Sequence, residues 1–366
     1  MEYPEYKRII YEPGKVTRII LNRPKYLNAI SHPMYGEIEN AIDHFTADPE
    51  CKVLVISGAG SCFSGGHDAI GLTPESAPMM AHDAIGSCAE SSCEFGQELT
   101  PAELIEKYGS EREVWRQYGK QHQYFLNQMH LHKLHRIPKP TIAMVHGYCI
   151  WGGYFLAGVM DIIFASEDAL FLAEVGQTDP GTWDWGPRKV LEVMYEHRFL
   201  TARECYENRM VNRIYPTREI LEKETLAYAN RVAENEALAF VSLASIKKAV
   251  YHTKDLQGFT MACEDTWVIA PPGSRARTQG GEKHTERYEG RGMARTPRAL
   301  ANLKAKLESE GKEVPKLVLE ALARASARDD KAVWQRALHQ EWRDKERIAR
   351  AEAEAKEHDE KEKKKK

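Results

Sequence analysis

Two carboxylates near the middle of the chain, Glu174 and Asp184, are the side chains best suited to move protons. Glu174 follows an apolar run, and Asp184 lies between Trp183 and Trp185. An apolar environment raises the pKa of a carboxyl group, which lets it give up and take back a proton near neutral pH. Structural roles stay open: Glu174 in a helix cap or a salt bridge, and Asp184 as the N-cap of a helix that begins at 186–187.

Two glycine pairs, Gly65-Gly66 and Gly152-Gly153, each come shortly after a predicted strand. Glycine lets the backbone come close to a ligand, and the first turn of a following helix leaves N–H groups without helical partners. Two such turns that face each other would hold a carbonyl oxygen that becomes negative during a reaction. The alternative for each pair is a simple tight turn. Neither pair matches a phosphate-binding loop or the GxGxxG pattern of dinucleotide-binding proteins.

A histidine group suggests a zinc site, but its spacing argues against one. His130, His132 and His135, with His122 nearby, are separated by two and three residues and have no cysteine at a ligand spacing. We interpret them as polar residues of a helix and predict no metal site.

The predicted elements that position these residues alternate between strands and helices. Apolar, β-branched runs indicate strands over 16–21, 53–57, 141–145 and 162–165. Ser31 before Pro33 predicts a helix start, Thr201 with Glu204 forms a capping box, and residues 233–250 have a strong helical pattern. The alternation indicates an α/β architecture.

Composition excludes several classes of protein. The chain has 366 residues with a formal net charge of −3, which argues against nucleic acid or an anionic membrane as the main partner. No apolar run reaches the roughly 20 residues that a membrane span needs, and the first residues lack the pattern of a secretory signal. The seven cysteines are irregularly spaced and form no disulfide framework, so we expect a cytoplasmic protein.

Four segments, taken in order, resemble those of the crotonase (enoyl-CoA hydratase/isomerase) superfamily. They are Leu21-Asn22-Arg23-Pro24-Lys25-Tyr26-Leu27-Asn28-Ala29-Ile30, the stretch 57–70, the stretch 138–147 that leads into the second glycine pair, and 201–216. The resemblance covers roughly residues 5–260.

The resemblance implies an α/β fold with a crotonase-like ββα spiral core over residues 1–200, which carries an insert at 73–130. A helical trimerisation region would follow over 201–270, and the chain would form a homotrimer or a dimer of trimers. Composition adds an extended arm with a helix at 271–327 and a highly charged helix with a disordered tail at 328–366.

The resemblance also implies the site. The substrate would be an acyl-CoA thioester, with no permanently bound cofactor, and the backbone N–H groups of His67 and Gly152 would hold the thioester oxygen. The aromatic residues of the insert would shape the acyl pocket. The residues that would contact CoA or the acyl group are Lys25, Leu27, Asp68, Ala69, Ile70, Phe155 and Trp183.

The sequence departs from the family at the acid/base residues. A hydratase of this family uses two glutamates, and the first falls on Phe155, which cannot exchange a proton. Glu174 corresponds to the second, although its segment is about one residue short. Some divergent members, the naphthoate synthases and the chlorobenzoyl-CoA dehalogenases, use an aspartate near the position of Asp184.

We therefore expect an enzyme that adds water to a 2-enoyl-CoA through a thioester enolate, with Glu174 and Asp184 as catalytic residues. Isomerisation or thioester or ring-cleaving hydrolysis with one carboxylate is the alternative. A non-catalytic CoA-binding scaffold subunit is a third hypothesis.

Overall fold

The computed structural model describes residues 3–66, 106, 109, 133–173, 179–235, 242–263 and 291–324. Its strands are β1 Ile9–Glu12, β2 Val16–Leu21, β3 Val53–Gly58, β4 Thr141–Val145, β5 Tyr148–Ile150, β6 Ile162–Ser166, β7 Leu170–Leu172, β8 Leu200–Thr201 and β9 Arg213–Tyr215. Its helices are α1 His32–Ala47, α2 Gly152–Gly158, α3 Asp179–Trp185, α4 Pro187–Glu196, α5 Ala202–Glu207, α6 Arg218–Ala233, α7 Leu243–Leu256 and α8 Arg291–Ser309, with a short 3-10 helix at Pro24–Tyr26.

The strands form two sheets. The larger has the order β1-β2-β3-β4-β6-β9, in which β1 is antiparallel to β2 and the other neighbours are parallel. The smaller has the order β5-β7-β8, with β5 parallel to β7. Parallel neighbours joined through helices are the signature of an α/β fold, as the sequence predicts.

Strand β3 shows how the larger sheet is covered on both faces. All six of its residues are buried. Leu54 and Ile56 belong to the main core, which includes the apolar face of α1, whereas Val53 and Val55 belong to a second cluster that includes residues of α6. Successive side chains of a strand point to opposite faces, so a continuous apolar run is what a strand between two helical layers requires.

Two predicted helix starts are confirmed, whereas the single helix predicted over 233–250 is wrong. Ser31 precedes α1, and the Thr201 side chain accepts a hydrogen bond from the Glu204 N–H. The pattern over 233–250 is not one helix, because α6 ends at Ala233 and Ser242 caps α7 through the Ser245 N–H. Within 271–327, where we expected an extended arm with a helix, residues Arg291–Ser309 form α8.

Contacts divide the chain into two compact units, residues 1–303 and 304–366. The described part of the second unit is helical over 304–309 and 316–324, with an ion pair between Lys316 and Glu320. In the described part of the chain, no helix has both the length and the apolar character that crossing a bilayer demands.

A buried arginine joins α4 to α5. The Arg198 side chain is fully buried, and its guanidinium donates two hydrogen bonds of 2.8 Å to the carboxylate of Glu204, which also pairs with Lys189 at 2.7 Å. Burial alone would raise the pKa of Glu204, but the hydrogen bonds from Arg198 and Lys189 outweigh it and lower that pKa below its usual 4.5.

This network makes stability depend on pH. The pKa of Glu204 is lower in the folded chain than in the unfolded one. Its contribution to the free energy of unfolding is therefore fully present at pH values above the pKa of the unfolded chain, and it is lost as the pH falls through the pKa of the folded chain. We expect Glu204→Gln to lower the free energy of unfolding at neutral pH by about 2 kcal/mol and to flatten its acid dependence. Urea titrations at several pH values measure both effects. Glu207→Gln, at an exposed position of α5, should change neither; equal curves for both variants would contradict the prediction.

Candidate active site

The loop after β2 is held in shape by Asn28. Leu27 and Asn28 both have positive φ values, 53° and 52°, a conformation that asparagine tolerates better than most residues. The buried Asn28 side chain accepts a hydrogen bond from the Arg23 N–H at 2.9 Å and donates to the carbonyls of Ala59 and Cys62, each at 2.8 Å. These bonds fix the loop, which also carries the exposed Lys25, against the segment that leads to the first glycine pair.

That contact predicts a measurable cost for losing the Asn28 amide. Asn28→Ala would leave buried backbone groups without partners and place alanine at a positive φ, so we expect the free energy of unfolding to fall by about 3 kcal/mol. Denaturant unfolding of the purified variant measures the loss. Asn230→Ala, on the exposed side of α6, is the matched control. A loss no larger than that of the control would contradict the role given to Asn28.

The first glycine pair packs directly on this loop. The Gly65 N–H donates to the Leu27 carbonyl at 2.6 Å, and the Ile30 N–H donates to the Gly66 carbonyl at 2.8 Å. The Ser64 hydroxyl donates to the Asn28 carbonyl at 2.9 Å and accepts from the Gly66 N–H at 3.1 Å. The predicted CoA-contacting residue Leu27 thus lies next to the predicted oxyanion turn.

The second glycine pair lies against the first. The Ser64 N–H donates to the Tyr148 carbonyl, and the Ile150 N–H donates back to the Ser64 carbonyl, at 2.9 and 3.0 Å. A Cβ added to Gly153 would lie 2.6 Å from the Ser64 Cβ. The two turns can approach so closely only because this position carries no side chain.

Backbone conformation also brings the turns together. Gly66 has a φ of +97°, and a Cβ there would lie 2.9 Å from the Ile150 carbonyl oxygen. Trp151 has a φ of 44°, which is unusual for a residue with a side chain, and Gly152 after it is the first residue of α2. The N–H of Gly152 therefore belongs to the first helical turn, where no acceptor exists within the helix.

Several predicted site residues lie outside the part of the chain that the structure describes. They are His67, Asp68, Ala69 and Ile70 after the first glycine pair, and Glu174 after β7. The histidines at 122, 130 and 132 and the insert at 73–130, apart from residues 106 and 109, are outside it as well.

Phe155, which the sequence analysis predicts at the position of the first family glutamate, has its side chain in the main core. It is 2% exposed and sits in the second turn of α2, where its N–H donates to the Trp151 carbonyl at 2.8 Å. No proton donor or acceptor stands at this position. Any acid/base chemistry must therefore come from another side chain.

Asp184 lies inside helix α3, which is anchored at two points. Trp185 packs edge-on against Tyr154 of α2, with ring centroids 5.8 Å apart, and Trp183 packs edge-on against Phe259 at 5.3 Å. The carboxylate oxygen Oδ1 of Asp184 is 3.7 Å from the Lys254 Nζ. Burial raises the pKa of Asp184, and Lys254 opposes part of that rise.

The capping role considered for Asp184 is wrong. The residue that precedes α4 is Gly186, with a φ of +81°, and no side chain caps that helix. Asp184 is instead a residue of the last turn of α3. The Asp184 carboxyl group therefore does not cap α4.

His135 is buried rather than a polar residue on a solvated helix, which corrects our interpretation. Its side chain stacks on Tyr251 at 3.9 Å and Phe259 at 5.0 Å, and its Nδ1 is 3.1 Å from the Val159 carbonyl. Burial lowers the pKa of His135 to about 4. The described residues hold no cluster of three or more His, Cys, Asp or Glu side chains that would suit a metal ion.

Residues of α7 near Asp184 were missed by the sequence reasoning. Lys247, Tyr251 and Lys254 are spaced by four and three residues, which places them on one face of a helix. This spacing can be read from the sequence, but the sequence does not indicate that this face of α7 contacts α3.

Comparison with known proteins identifies the family. Two family models, both described as enoyl-CoA hydratase/isomerase, match residues 16–92 and 108–288. EchA13 of Mycobacterium tuberculosis, which carries the name putative enoyl-CoA hydratase, is 31% identical over 277 residues, which cover 73% of this chain and 79% of that protein. The chain belongs to the enoyl-CoA hydratase/isomerase family.

Other similar proteins carry two kinds of name. The human mitochondrial Δ(3,5)-Δ(2,4)-dienoyl-CoA isomerase is 27% identical over 261 residues, which cover 69% of this chain and 70% of that protein. Among solved structures, an enoyl-CoA hydratase/isomerase from Xanthobacter autotrophicus Py2 matches with a TM-score of 0.58 at 26% identity, covering 82% of this chain and 97% of that one. A probable enoyl-CoA hydratase from Mycobacterium thermoresistibile matches with a TM-score of 0.51 at 31% identity, covering 72% and 94%. The family membership and the α/β fold predicted from the sequence are confirmed.

Proposed function

We propose that this enzyme moves a carbon–carbon double bond in an enoyl-CoA thioester, with Asp184 as the proton carrier. The observation that carries this proposal is the buried Phe155 at the position of the first hydratase glutamate. Isomerisation needs only one group that takes a proton and returns it, whereas the family's hydration uses two carboxylates. Asp184, held in an aromatic environment with a raised pKa, is suited to that single role.

The proposed reaction begins with the thioester oxygen held by the N–H groups of His67 and Gly152. The Asp184 carboxylate removes a proton from the carbon next to the thioester, and the electron pair forms an enolate whose negative charge the two N–H groups stabilise. The same carboxyl group returns the proton at the far end of the conjugated system, which shifts the double bond. Water is neither consumed nor released, and the carboxyl ends in its starting state.

CoA recognition is part of the proposal. Lys25 and Leu27 lie in the loop that packs on the first glycine pair, where they would contact CoA together with Asp68, Ala69 and Ile70. Trp183 and the insert would border the acyl group. CoA itself is substrate and product, not a resident cofactor.

Hydration of a 2-enoyl-CoA is the second candidate. Glu174 comes two residues after the end of β7, and several similar proteins are named as hydratases. In this reaction one carboxylate would activate water and the other would deliver a proton to the enolate carbon. Glu174 and Asp184 would have to share these two roles.

Two substrates separate the candidates. With a 3-enoyl-CoA, isomerisation gives a rise in enone absorbance at constant mass. With crotonyl-CoA, hydration removes that absorbance and adds the mass of one water, while hydrolysis releases free thiol. We expect turnover of the 3-enoyl-CoA with slow or absent hydration of crotonyl-CoA. Fast hydration would favour the second candidate, and no turnover of any acyl-CoA would favour a non-catalytic CoA-binding subunit.

We also propose a homotrimer or a dimer of trimers. Helix α7 and the residues after it expose apolar side chains, with Val250 60%, Leu256 76% and Met261 65% exposed. Association of subunits would remove these apolar side chains from water. Light scattering after size-exclusion chromatography measures the mass, and a monomer would contradict this assembly.

A further inference from the structure

We infer that Lys254 is a positioning residue for the proposed reaction, one that orients the Asp184 carboxyl group and keeps it ionised between turnovers. This inference rests on the proposed role of Asp184. Lys254 lies in α7, and the sequence analysis assigned no catalytic or binding residue to that helix.

The geometry places the lysine between the carboxylate and an aromatic ring. The Lys254 Nζ is 3.7 Å from the Asp184 Oδ1 and 4.0 Å from the centre of the Phe259 ring. The Phe259 side chain is fully buried and also contacts Trp183. A cation over an aromatic face is attracted to it, so Phe259 holds the ammonium group at the end of α3.

The other ionisable groups around this pair are already paired or uncharged. Tyr251, on the same face of α7, donates its phenol hydrogen to Asp161, and Lys247 pairs with Asp161 at 3.0 Å. Tyr154 of α2 adds a phenol next to α3. His135, stacked on Tyr251, has its pKa lowered to about 4 by burial and is therefore neutral near neutral pH.

In the part of the chain that the structure describes, Lys254 is thus the cation that faces Asp184. The two side chains are 20% and 30% exposed, so their attraction is screened less than that of a surface pair. Burial favours the protonated carboxyl, and the nearby ammonium group favours the carboxylate. The enzyme needs the carboxylate at the start of each turnover, which makes the lysine useful to the reaction.

Two titrations test this inference. The first follows the Asp184 carboxyl carbon by NMR in 13C-aspartate-labelled protein, with Asp184→Asn used to assign the signal. The second measures kcat/KM with a 3-enoyl-CoA across the acid range. In Lys254→Met we expect the carboxyl midpoint and the acid limb of kcat/KM to move together to higher pH by about one unit, so that kcat/KM on that limb falls about tenfold. In Lys254→Arg both should stay near the wild-type values.

Lys248→Met is the matched control, because Lys248 is an exposed residue of the same helix. Lys254→Gln replaces Lys254→Met if the latter fails to fold. A carboxyl midpoint in the Lys254 variant equal to that of wild type and of Lys248→Met would overturn the inference. If Asp184→Asn kept full activity, the proposed function would fail. The carboxyl midpoints of wild type and Lys254→Met would still show whether Lys254 lowers the pKa of Asp184.

Discussion

Asp184→Asn is expected to lower kcat by about 10²–10⁴-fold with a 3-enoyl-CoA and to change KM by only a few-fold. Asparagine has nearly the shape of aspartate and keeps a hydrogen-bonding group near Lys254, but it cannot take a proton from carbon. The loss should therefore appear in the chemical step rather than in binding. Steady-state kinetics with the purified variant measure both constants.

The matched control for this variant is Glu167→Gln, which removes an exposed carboxylate at the end of β6. It should leave kcat unchanged. Circular dichroism and thermal unfolding show whether both variants are folded. If the kcat of Asp184→Asn were close to that of Glu167→Gln, Asp184 would not be the proton carrier, and Glu174 would become the candidate for that role.

Gly153→Ala is expected to lower kcat by about 10²-fold, because it disturbs the contact between the two glycine turns. The added Cβ would lie 2.6 Å from the Ser64 Cβ and 3.3 Å from the Ser64 carbonyl oxygen, so the turns must move apart. That movement would displace the N–H groups that are proposed to hold the thioester oxygen. Kinetics and denaturant unfolding together separate lost catalysis from lost stability.

A double-mutant cycle gives the sharper control. Ser64→Gly removes the Cβ with which the new methyl group would collide, although it also removes the hydroxyl that bonds Asn28 and Gly66. In the Ser64→Gly background, Gly153→Ala should therefore cost less in kcat than it does alone. Equal costs in both backgrounds would contradict the idea that the Ser64 contact sets the position of the turns.

The sheet and several helices were predictable because their signals are local. The strands at 16–21, 53–57, 141–145 and 162–165 have the continuous or β-branched apolar runs that buried parallel strands need. Helix α3 was missed because its short sequence resembles a loop before Gly186-Pro187. Its place depends on tertiary contacts: a Cβ at Gly181 would lie 2.7 Å from the Tyr154 hydroxyl oxygen, and Trp185 packs on the same ring.

The contact between the two glycine turns was predictable from the order of the strands. Turns that follow neighbouring parallel strands meet at one edge of a sheet, so the contact of Gly153 with Ser64 follows from the pairing of β3 with β4. The pairing of Lys254 with Asp184 could not be predicted in this way. It depends on how α7 packs against α3, and a lysine in a helix otherwise indicates a solvated face.

Deuterium transfer from solvent tests the central claim most directly. A 3-enoyl-CoA incubated with enzyme in heavy water is analysed by mass spectrometry after partial conversion, with wild type and Asp184→Asn compared at equal enzyme concentration. If Asp184 takes the proton and returns it, wild type should convert the 3-enoyl-CoA, and the carbon that gains the proton should carry either the hydrogen taken from the substrate or a solvent deuterium that exchanged onto the carboxyl group. The variant should show neither conversion nor deuterium above the enzyme-free background. Equal conversion and equal deuterium content with both enzymes would contradict the proposed mechanism.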